Sequence, residues 1–157
     1  MGYEHRVKIL QEKIQELELC GVILFYSRDV LYYTGTAQPS YLAVLPQEYF
    51  LFVRNGFEFA LDDAFIPKER IKEEGRLENI HKEAFSKPHS SNRVGTELDL
   101  LPARQLYDFK KAFPGYEFLD VSAFILEQRQ TKDALRSISS KRLVKPLMQG
   151  TKRPCQP

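Results

Sequence analysis

The chain has 157 residues, of which 43% are hydrophobic and 28% charged, a composition typical of one soluble globular domain with its own core. It contains no apolar run of the roughly 20 residues that a membrane span needs, and no secretory signal, so we expect a cytoplasmic protein without membrane contact. Residues 134–157 carry six basic side chains and no acidic one, so the net charge of +2 becomes −4 without them, and we expect no nucleic-acid binding.

The first half of the chain is predicted to alternate helices and strands. In order, these are a helix at 3–19, a strand at 22–26, a short helix at 29–33, a hairpin of strands at 41–45 and 49–53, and a helix at 57–65. The sequence predicts that Gly21 ends the first helix in a left-handed cap and that Gly35 ends the second. Ser27 is predicted to cap the start of the second helix.

The second half begins with a charged stretch and a polar loop. Its predicted segments are the charged residues 68–74, a strand at 77–80, the polar loop 86–92, a strand at 93–97, a helix from Pro102 to Phe113, a strand at 116–119 and a helix that begins at 121–126. Strands and helices alternate except at the hairpin. The sequence therefore predicts an α/β fold with a mixed β-sheet flanked by helices.

The cysteines, the histidines and the adjacent aspartates of the chain form no catalytic or metal-binding pattern. Cys20 and Cys155 are too few for a cysteine framework, and Cys20 is interpreted as a small buried apolar residue. Asp62 and Asp63 are adjacent in a predicted helix, so they diverge by about 100° and cannot work as a paired acid and base. Three histidines lack any metal-ligand spacing: His5, His81 and His89.

Three segments in order resemble one protein family. They are Gly21–Leu24 with Val30–Gly35, the hairpin end Phe52-Val53-Arg54 with the aromatic residues and alanine after it, and Arg93–Glu97 through Leu119–Ser122 to Arg129–Lys132. Over residues 4–133 the chain is similar to the amino-terminal domain of the creatinase, prolidase and Xaa-Pro aminopeptidase group. The region 82–92 departs from the family, because it is shorter and more polar than the helix usual there.

The resemblance implies the fold of that amino-terminal domain, which has a ribonuclease H-like motif. It also implies a homodimeric parent protein, a Xaa-Pro dipeptidase or aminopeptidase whose separate catalytic domain binds two divalent metal ions (Mn, Co or Zn) through two Asp, one His and two Glu. After residue 133 the chain has no Asp, Glu or His, and such metals need carboxylate or imidazole ligands. We therefore expect no catalytic residue, metal or cofactor in this chain, and peptide substrate only when a catalytic domain is present.

Three residues are candidates for a role in substrate access. Tyr32 and Tyr33 stand beside the Thr-Gly pair of the family's most recognisable segment, and in the family such loops narrow the path to the catalytic cleft of the partner subunit. Arg54 matches family residues near the cross-subunit substrate site, where a guanidinium can hold a carboxylate through two hydrogen bonds. The simpler alternatives are aromatic packing at a helix end for the tyrosines and a salt bridge at a strand end for Arg54.

The resemblance stops abruptly after residue 133. With compatible synonymous codons, a one-base shift of the reading frame lets the codons of residues 134–157 encode a different amino-acid sequence. That sequence begins Phe-Glu-Ile and resembles the family's continuation. We hypothesise a frameshift near Ala134, which DNA sequencing would test, and the alternative is a divergent linker. The predicted domains are an amino-terminal domain at 1–133 and a poorly structured basic tail at 134–157, with the catalytic domain absent.

Two other functions stay open on the sequence alone. One is the amino-terminal domain of a creatinase-type amidinohydrolase, which needs no metal. The other is a free-standing protein-interaction module without an enzymatic parent. A downstream reading frame that encodes the five metal ligands would distinguish the metallopeptidase from both.

Overall fold

The computed structural model describes residues 2–87, 89 and 91–131. The chain divides into two compact units, Met1–Ser122 and Ala123–Pro157. The predicted tail at 134–157 and the proposed frameshift lie outside the described residues.

The described residues of the first unit form five helices, six strands and one short 3-10 turn. The helices are α1 (Tyr3–Glu16), α2 (Ser27–Thr34), α3 (Phe57–Asp63), α4 (Leu77–Ala84) and α5 (Ala103–Ala112), and the 3-10 turn is Lys68–Arg70. The strands are β1 (Gly21–Leu24), β2 (Ser40–Val44), β3 (Tyr49–Val53), β4 (Ile71–Glu73), β5 (Arg93–Thr96) and β6 (Glu117–Asp120). The described residues end in a last helix, α6, at 122–131, and residues 123–131 are the described part of the second unit.

The six strands form one mixed sheet in the order β4-β3-β2-β1-β5-β6. The central strands β1, β2 and β3 pair antiparallel, and β3 and β2 are the predicted hairpin. The pairs β3–β4, β1–β5 and β5–β6 are parallel. All four residues of β1 are buried, as expected for a continuous apolar strand covered on both faces. The predicted α/β fold with a mixed sheet is confirmed.

An aromatic core covers one face of the sheet, where α4 and α5 pack. Phe109 of α5 is fully buried, and its ring meets those of Phe25 and Tyr41 at centroid distances of 6.3 and 6.0 Å. Phe113, at the end of α5, meets Phe85 edge-on at 5.3 Å. The alternating residues of β2 and β3 supply the strand side of this cluster, so the period of two in the hairpin sets which residues face the helices.

The helices α1 and α2 contact each other and β2. Val7, Leu10 and Ile14 of α1 are at most 2% exposed and are spaced by three and four residues, which confirms the predicted apolar face. Val30 and Tyr33 of α2 are completely buried. Together these side chains form the second apolar layer of the domain.

The glycine cap predicted at Gly21 is wrong. The residue with positive φ after α1 is Glu18, at 56°, whereas Gly21 is the first residue of β1. A Cβ at Gly21 would lie 2.7 Å from the Phe85 ring and 2.9 Å from the carbonyl oxygen of Val44, so close packing requires glycine there. The cap predicted at Gly35 is confirmed, with φ of 88° directly after α2.

Three further predictions about local structure need correction. Residues 77–80 belong to helix α4 and not to a strand, because the apolar positions Leu77, Ile80 and Ala84 follow the helical spacing. The charged stretch 68–74 contains the edge strand β4, of which only Ile71 is buried. Ser27 is the first helical residue of α2 and forms no cap hydrogen bond. No described helix is both long and apolar enough to cross a membrane.

Candidate functional site

Tyr32 and Tyr33 lie on the last turn of α2, and the structure places them at different depths. Their rings meet edge to face, with centroids 4.9 Å apart. Tyr33 is completely buried, whereas Tyr32 is half-buried. Only Tyr32 therefore presents its ring near the surface of this domain, and Tyr33 packs in the core beneath it.

Arg6 of α1 fixes the position of Tyr32. Its Nη1 donates a hydrogen bond of 2.7 Å to the carbonyl oxygen of Tyr32, and its guanidinium carbon lies 4.4 Å from the centroid of the Tyr32 ring. The same guanidinium lies 4.7 Å from the ring of Tyr3. Arg6 is 4% exposed, so this cation is desolvated and its aromatic contacts gain strength.

Arg54 directly follows β3 and is exposed. Its backbone nitrogen donates to the carbonyl oxygen of Pro39 at 2.8 Å, and its Nη1 donates to the hydroxyl oxygen of Tyr41 at 3.2 Å. The guanidinium carbon is 5.2 Å from the centroid of the Tyr41 ring, which is itself buried against Phe109. Among the described residues Arg54 forms no ion pair, so the predicted salt bridge at the strand end is not found there.

The three candidate residues do not form one cluster within the described part of the chain. Tyr32 and Tyr33 contact each other, while Arg54 has its hydrogen bond and ring contact with Tyr41. Tyr41 belongs to the aromatic core under α4 and α5, and Tyr33 belongs to the layer under α1 and α2. The domain therefore offers two separate surface features: a tyrosine held by Arg6 and an arginine held by Tyr41.

Glu97 is a notable buried residue that was not a candidate from the sequence. It directly follows β5 and is 1% exposed. Its Oε2 accepts hydrogen bonds from the backbone nitrogens of Phe25, at 2.8 Å, and Tyr26, at 3.1 Å. Burial, together with contact with the Asp29 carboxyl, raises the pKa of Glu97 to about 9. The sequence signal that could have identified Glu97 is an acidic residue directly after an apolar strand, because burial of a carboxylate is costly.

Two of the histidines share one tyrosine. His89 Nε2 lies 2.9 Å from the hydroxyl oxygen of Tyr116, and the His81 ring meets the Tyr116 ring edge-on at 5.3 Å. Burial and the neighbouring His89 lower the pKa of His81, which keeps it neutral near pH 7. The described residues contain no group of three or more His, Cys, Asp or Glu side chains placed to hold a metal ion.

A cavity of about 370 Å³ lies near the hairpin turn and the polar loop. Leu19, Cys20 and Leu45 form part of its apolar lining, and an ion pair of 3.2 Å between Lys87 and Glu48 lies on its polar side. Cys20 is 4% exposed and its Sγ donates to the carbonyl oxygen of Arg93 at 3.2 Å. Burial raises the pKa of Cys20 to about 11, and the prediction of a small buried residue is confirmed by its exposure of 4%.

The geometry agrees with the sequence comparison. Residues 6–131 match the family model of the creatinase/prolidase N-terminal domain. The chain belongs to this family. No curated protein matches the sequence closely enough to count as a relative.

Solved structures of similar fold come from peptidases of several bacteria and an archaeon. A proline dipeptidase structure from Streptococcus pneumoniae TIGR4 is 21% identical, with a TM-score of 0.65, and the match covers 79% of this chain and 96% of that one. The N-terminal domain of the cytoplasmic peptidase PepQ from Mycobacterium tuberculosis H37Rv is 16% identical, with a TM-score of 0.67 and coverages of 79% and 98%. The prolidase from Pyrococcus horikoshii OT3 is 20% identical, with a TM-score of 0.67, and the match covers 80% of this chain and 35% of the prolidase.

At these identities the likeness establishes the fold. The predicted family and fold are both confirmed, and the chain is an N-terminal domain of the kind found in prolidase and aminopeptidase P-like proteins. It spans about a third of the prolidase from Pyrococcus horikoshii OT3 and of the X-Pro aminopeptidase from Thermotoga maritima MSB8.

Proposed function

We propose that this domain is the non-catalytic part of a Xaa-Pro dipeptidase or aminopeptidase, where it takes part in homodimer formation and shapes substrate access. The family match over residues 6–131 carries the proposal. The substrate class is proposed from the names of the structural relatives, which are proline dipeptidase, prolidase and X-Pro aminopeptidase. A cytoplasmic location belongs to the same proposal and is supported by the similarity to the cytoplasmic peptidase PepQ.

The chemical step in such a protein belongs to a catalytic domain with two divalent ions (Mn, Co or Zn). The described residues do not fit that role, because they bring no three His, Cys, Asp or Glu side chains together for a metal ion. Carboxylate and imidazole groups are the ligands that such a centre requires. The proposed contribution of this domain is therefore binding and shape.

Arg54 is the residue best suited to contact a peptide. It is exposed, and one hydrogen bond to Tyr41 together with the Tyr41 ring fixes its guanidinium. A guanidinium has five N–H donors, so it retains donors that match the two oxygens of a carboxylate. We propose that Arg54 binds the carboxylate of a short peptide, and that Tyr32, held by Arg6, narrows the path to the catalytic cleft of a partner subunit.

Turnover of a peptide substrate needs the catalytic domain, so an NMR titration of this chain with a Xaa-Pro dipeptide tests only the proposed carboxylate contact of Arg54. We expect the largest chemical-shift changes at Arg54 and Tyr41, with a dissociation constant on the order of millimolar for a single charge-assisted contact. Arg54→Ala should abolish the shifts. Arg104→Ala is the matched control, because Arg104 is also exposed, lies on α5 and is outside the proposed contact. Shifts that persist in Arg54→Ala would remove Arg54 from the proposal.

Sedimentation equilibrium of the chain tests the dimer part. We expect a monomer–dimer equilibrium whose dimer fraction rises with protein concentration. A chain that stays monomeric up to several hundred micromolar, and that also shows no peptide-dependent shifts, would contradict the proposed function.

A further inference from the structure

We infer that Glu97 is a positioning residue that holds the turn between β1 and α2 and does so as a neutral carboxylic acid. The turn leads into α2 and so sets where Tyr32 stands. The consequence for substrate access rests on the proposed function, whereas the holding of the turn stands on the contacts of Glu97 itself.

The topology brings Glu97 to this turn. Strands β1 and β5 are parallel neighbours, with Ile23 opposite Thr96, so their carboxyl ends lie at the same edge of the sheet. The Thr96 hydroxyl donates a hydrogen bond of 2.8 Å to the carbonyl oxygen of Ile23, which fixes this end of the pair. Glu97 is the first residue after β5, and the chain after β1 continues through Phe25 and Tyr26.

The turn depends on Glu97 for its hydrogen bonds. The backbone nitrogens of Phe25 and Tyr26 lie outside the helical ladder, and α2 has no side-chain cap. Both nitrogens donate to the same Glu97 oxygen, from 72 and 71 residues away along the chain. The carbonyl oxygen of Tyr26 in turn accepts the first bonds of the helix, from the nitrogens of Asp29 and Val30 at 3.0 Å each. Glu97 thus supplies from another strand what a cap residue supplies locally.

The surroundings of Glu97 disfavour its ionised form. The residue is 1% exposed, and its Oε1 is buried without a hydrogen-bond partner among the described residues. The carboxyl of Asp29 on α2, which is 3% exposed, faces it. Loss of hydration and a second carboxyl both favour the protonated form. The pKa of about 9 agrees with this geometry.

Two variants distinguish a protonated Glu97 from an ionised one. Glu97→Gln keeps a carbonyl oxygen for the two backbone nitrogens and is neutral at every pH, whereas Glu97→Ala removes the acceptor. We expect amide hydrogen exchange at Phe25 and Tyr26 to be at least about tenfold faster in Glu97→Ala and nearly unchanged in Glu97→Gln. Glu117→Gln and Glu117→Ala are the controls, because Glu117 is exposed on the neighbouring strand β6.

A pH series gives a readout that a purely structural role would not change. The folded-state pKa of Glu97 is raised from 4.5 to about 9, so the folded protein holds a proton that the unfolded chain releases. The stability of the wild type relative to Glu97→Gln should therefore be greatest below pH 4.5 and decrease steadily as the pH rises to about 9. Urea unfolding at several pH values measures this difference, with the Glu117→Gln variant as reference.

Three results would overturn the inference. Amide exchange at Phe25 and Tyr26 that is unchanged in Glu97→Ala would show that Glu97 does not hold the turn. Exchange as fast in Glu97→Gln as in Glu97→Ala would show that the carboxylate charge is required. A pH-independent difference between the wild type and Glu97→Gln, which remains measurable if Glu97→Ala does not fold, would show that Glu97 is ionised in the folded state. None of these outcomes depends on dimerisation or peptide binding.

Discussion

Cys20 and Glu97 are buried ionisable side chains at opposite ends of the parallel strand pair β1–β5. Cys20 precedes β1 and Glu97 follows β5, and burial is the largest cause of the raised pKa in both. Each is neutral near pH 7, because an apolar interior disfavours thiolate and carboxylate alike. The two groups differ in use: the thiol fills space beside a cavity, whereas the carboxyl binds two backbone nitrogens.

The raised pKa of Cys20 predicts slow alkylation of the folded protein. At pH 8 a thiol of pKa about 11 has a thiolate fraction about a hundredfold below one of pKa 9, and burial slows access further. We expect iodoacetamide to react with Cys20 at least about a hundredfold faster in denaturant than in buffer. The measurement uses Cys155→Ser, so that Cys20 is the only thiol. Rapid labelling in buffer would show that Cys20 is accessible.

Two glycines with similar φ but different surroundings give a matched pair. Gly35 has φ of 88° and Gly115 has φ of 83°. A Cβ at Gly35 would clash with the Phe65 ring, because it would lie well inside the van der Waals distance. At Gly115 no heavy atom lies within 4 Å of an added Cβ. We expect Gly115→Ala to cost about 1–2 kcal/mol through φ alone, and Gly35→Ala about 1 kcal/mol more. Urea unfolding measures both, and equal losses would contradict the steric part.

At the scale of whole elements, long periodic segments are predictable from the sequence and short charged ones are not. The apolar stripe of α1 runs from Val7 to Ile14, about two helical turns, and the hairpin consists of two runs of β-forming residues, so each pattern favours one structure. Strand β4 has one buried residue, and its pairing with β3, not its own composition, makes it a strand. The four residues 77–80 of helix α4 contain two apolar residues three apart, and so short a window does not distinguish a helix from a strand.

The residues of the candidate site also divide into those that a local sequence pattern can predict and those that it cannot. Arg54 was a candidate because its local motif resembles a family, and such motifs lie in contiguous residues. Glu97 acts on a turn more than 70 positions earlier in the chain, and no local pattern reports that contact. The partner of Arg54, Tyr41, was missed for the same reason: the register of β2 against β3 brings them close, and register follows from tertiary packing.

The helix α5 allows a test of the aromatic core with an internal control. Phe109 is completely buried between the rings of Phe25, Tyr41 and Phe118, whereas Tyr107 on the same helix is 66% exposed. We expect Phe109→Ala to lower the free energy of unfolding by about 3–5 kcal/mol and Tyr107→Ala by less than about 0.5 kcal/mol. Similar losses in the two variants, measured by urea unfolding, would mean that α5 does not pack as described.

At the scale of the whole molecule, the family match ends at residue 131, close to the predicted end of the domain at 133. We expect a chain of residues 1–133 to fold alone, with an amide spectrum that overlays on that of the full chain for residues 2–131. Deletion of residues 134–157 also changes the net charge from +2 to −4, so the shortened chain should no longer bind a cation-exchange resin at pH 7. Loss of cooperative unfolding would contradict this domain boundary.

The position of β1 in the sheet has a consequence for synthesis on the ribosome. This strand is made early, yet its parallel partner β5 is 73 residues later, so the centre of the sheet closes only after most of the domain has been translated. Contacts of such high sequence separation slow folding, and until they form the nascent chain carries an apolar strand with one unpaired edge. The force of co-translational folding is therefore expected to rise once residue 96 has left the exit tunnel, which force-sensing arrest peptides placed along the gene can measure.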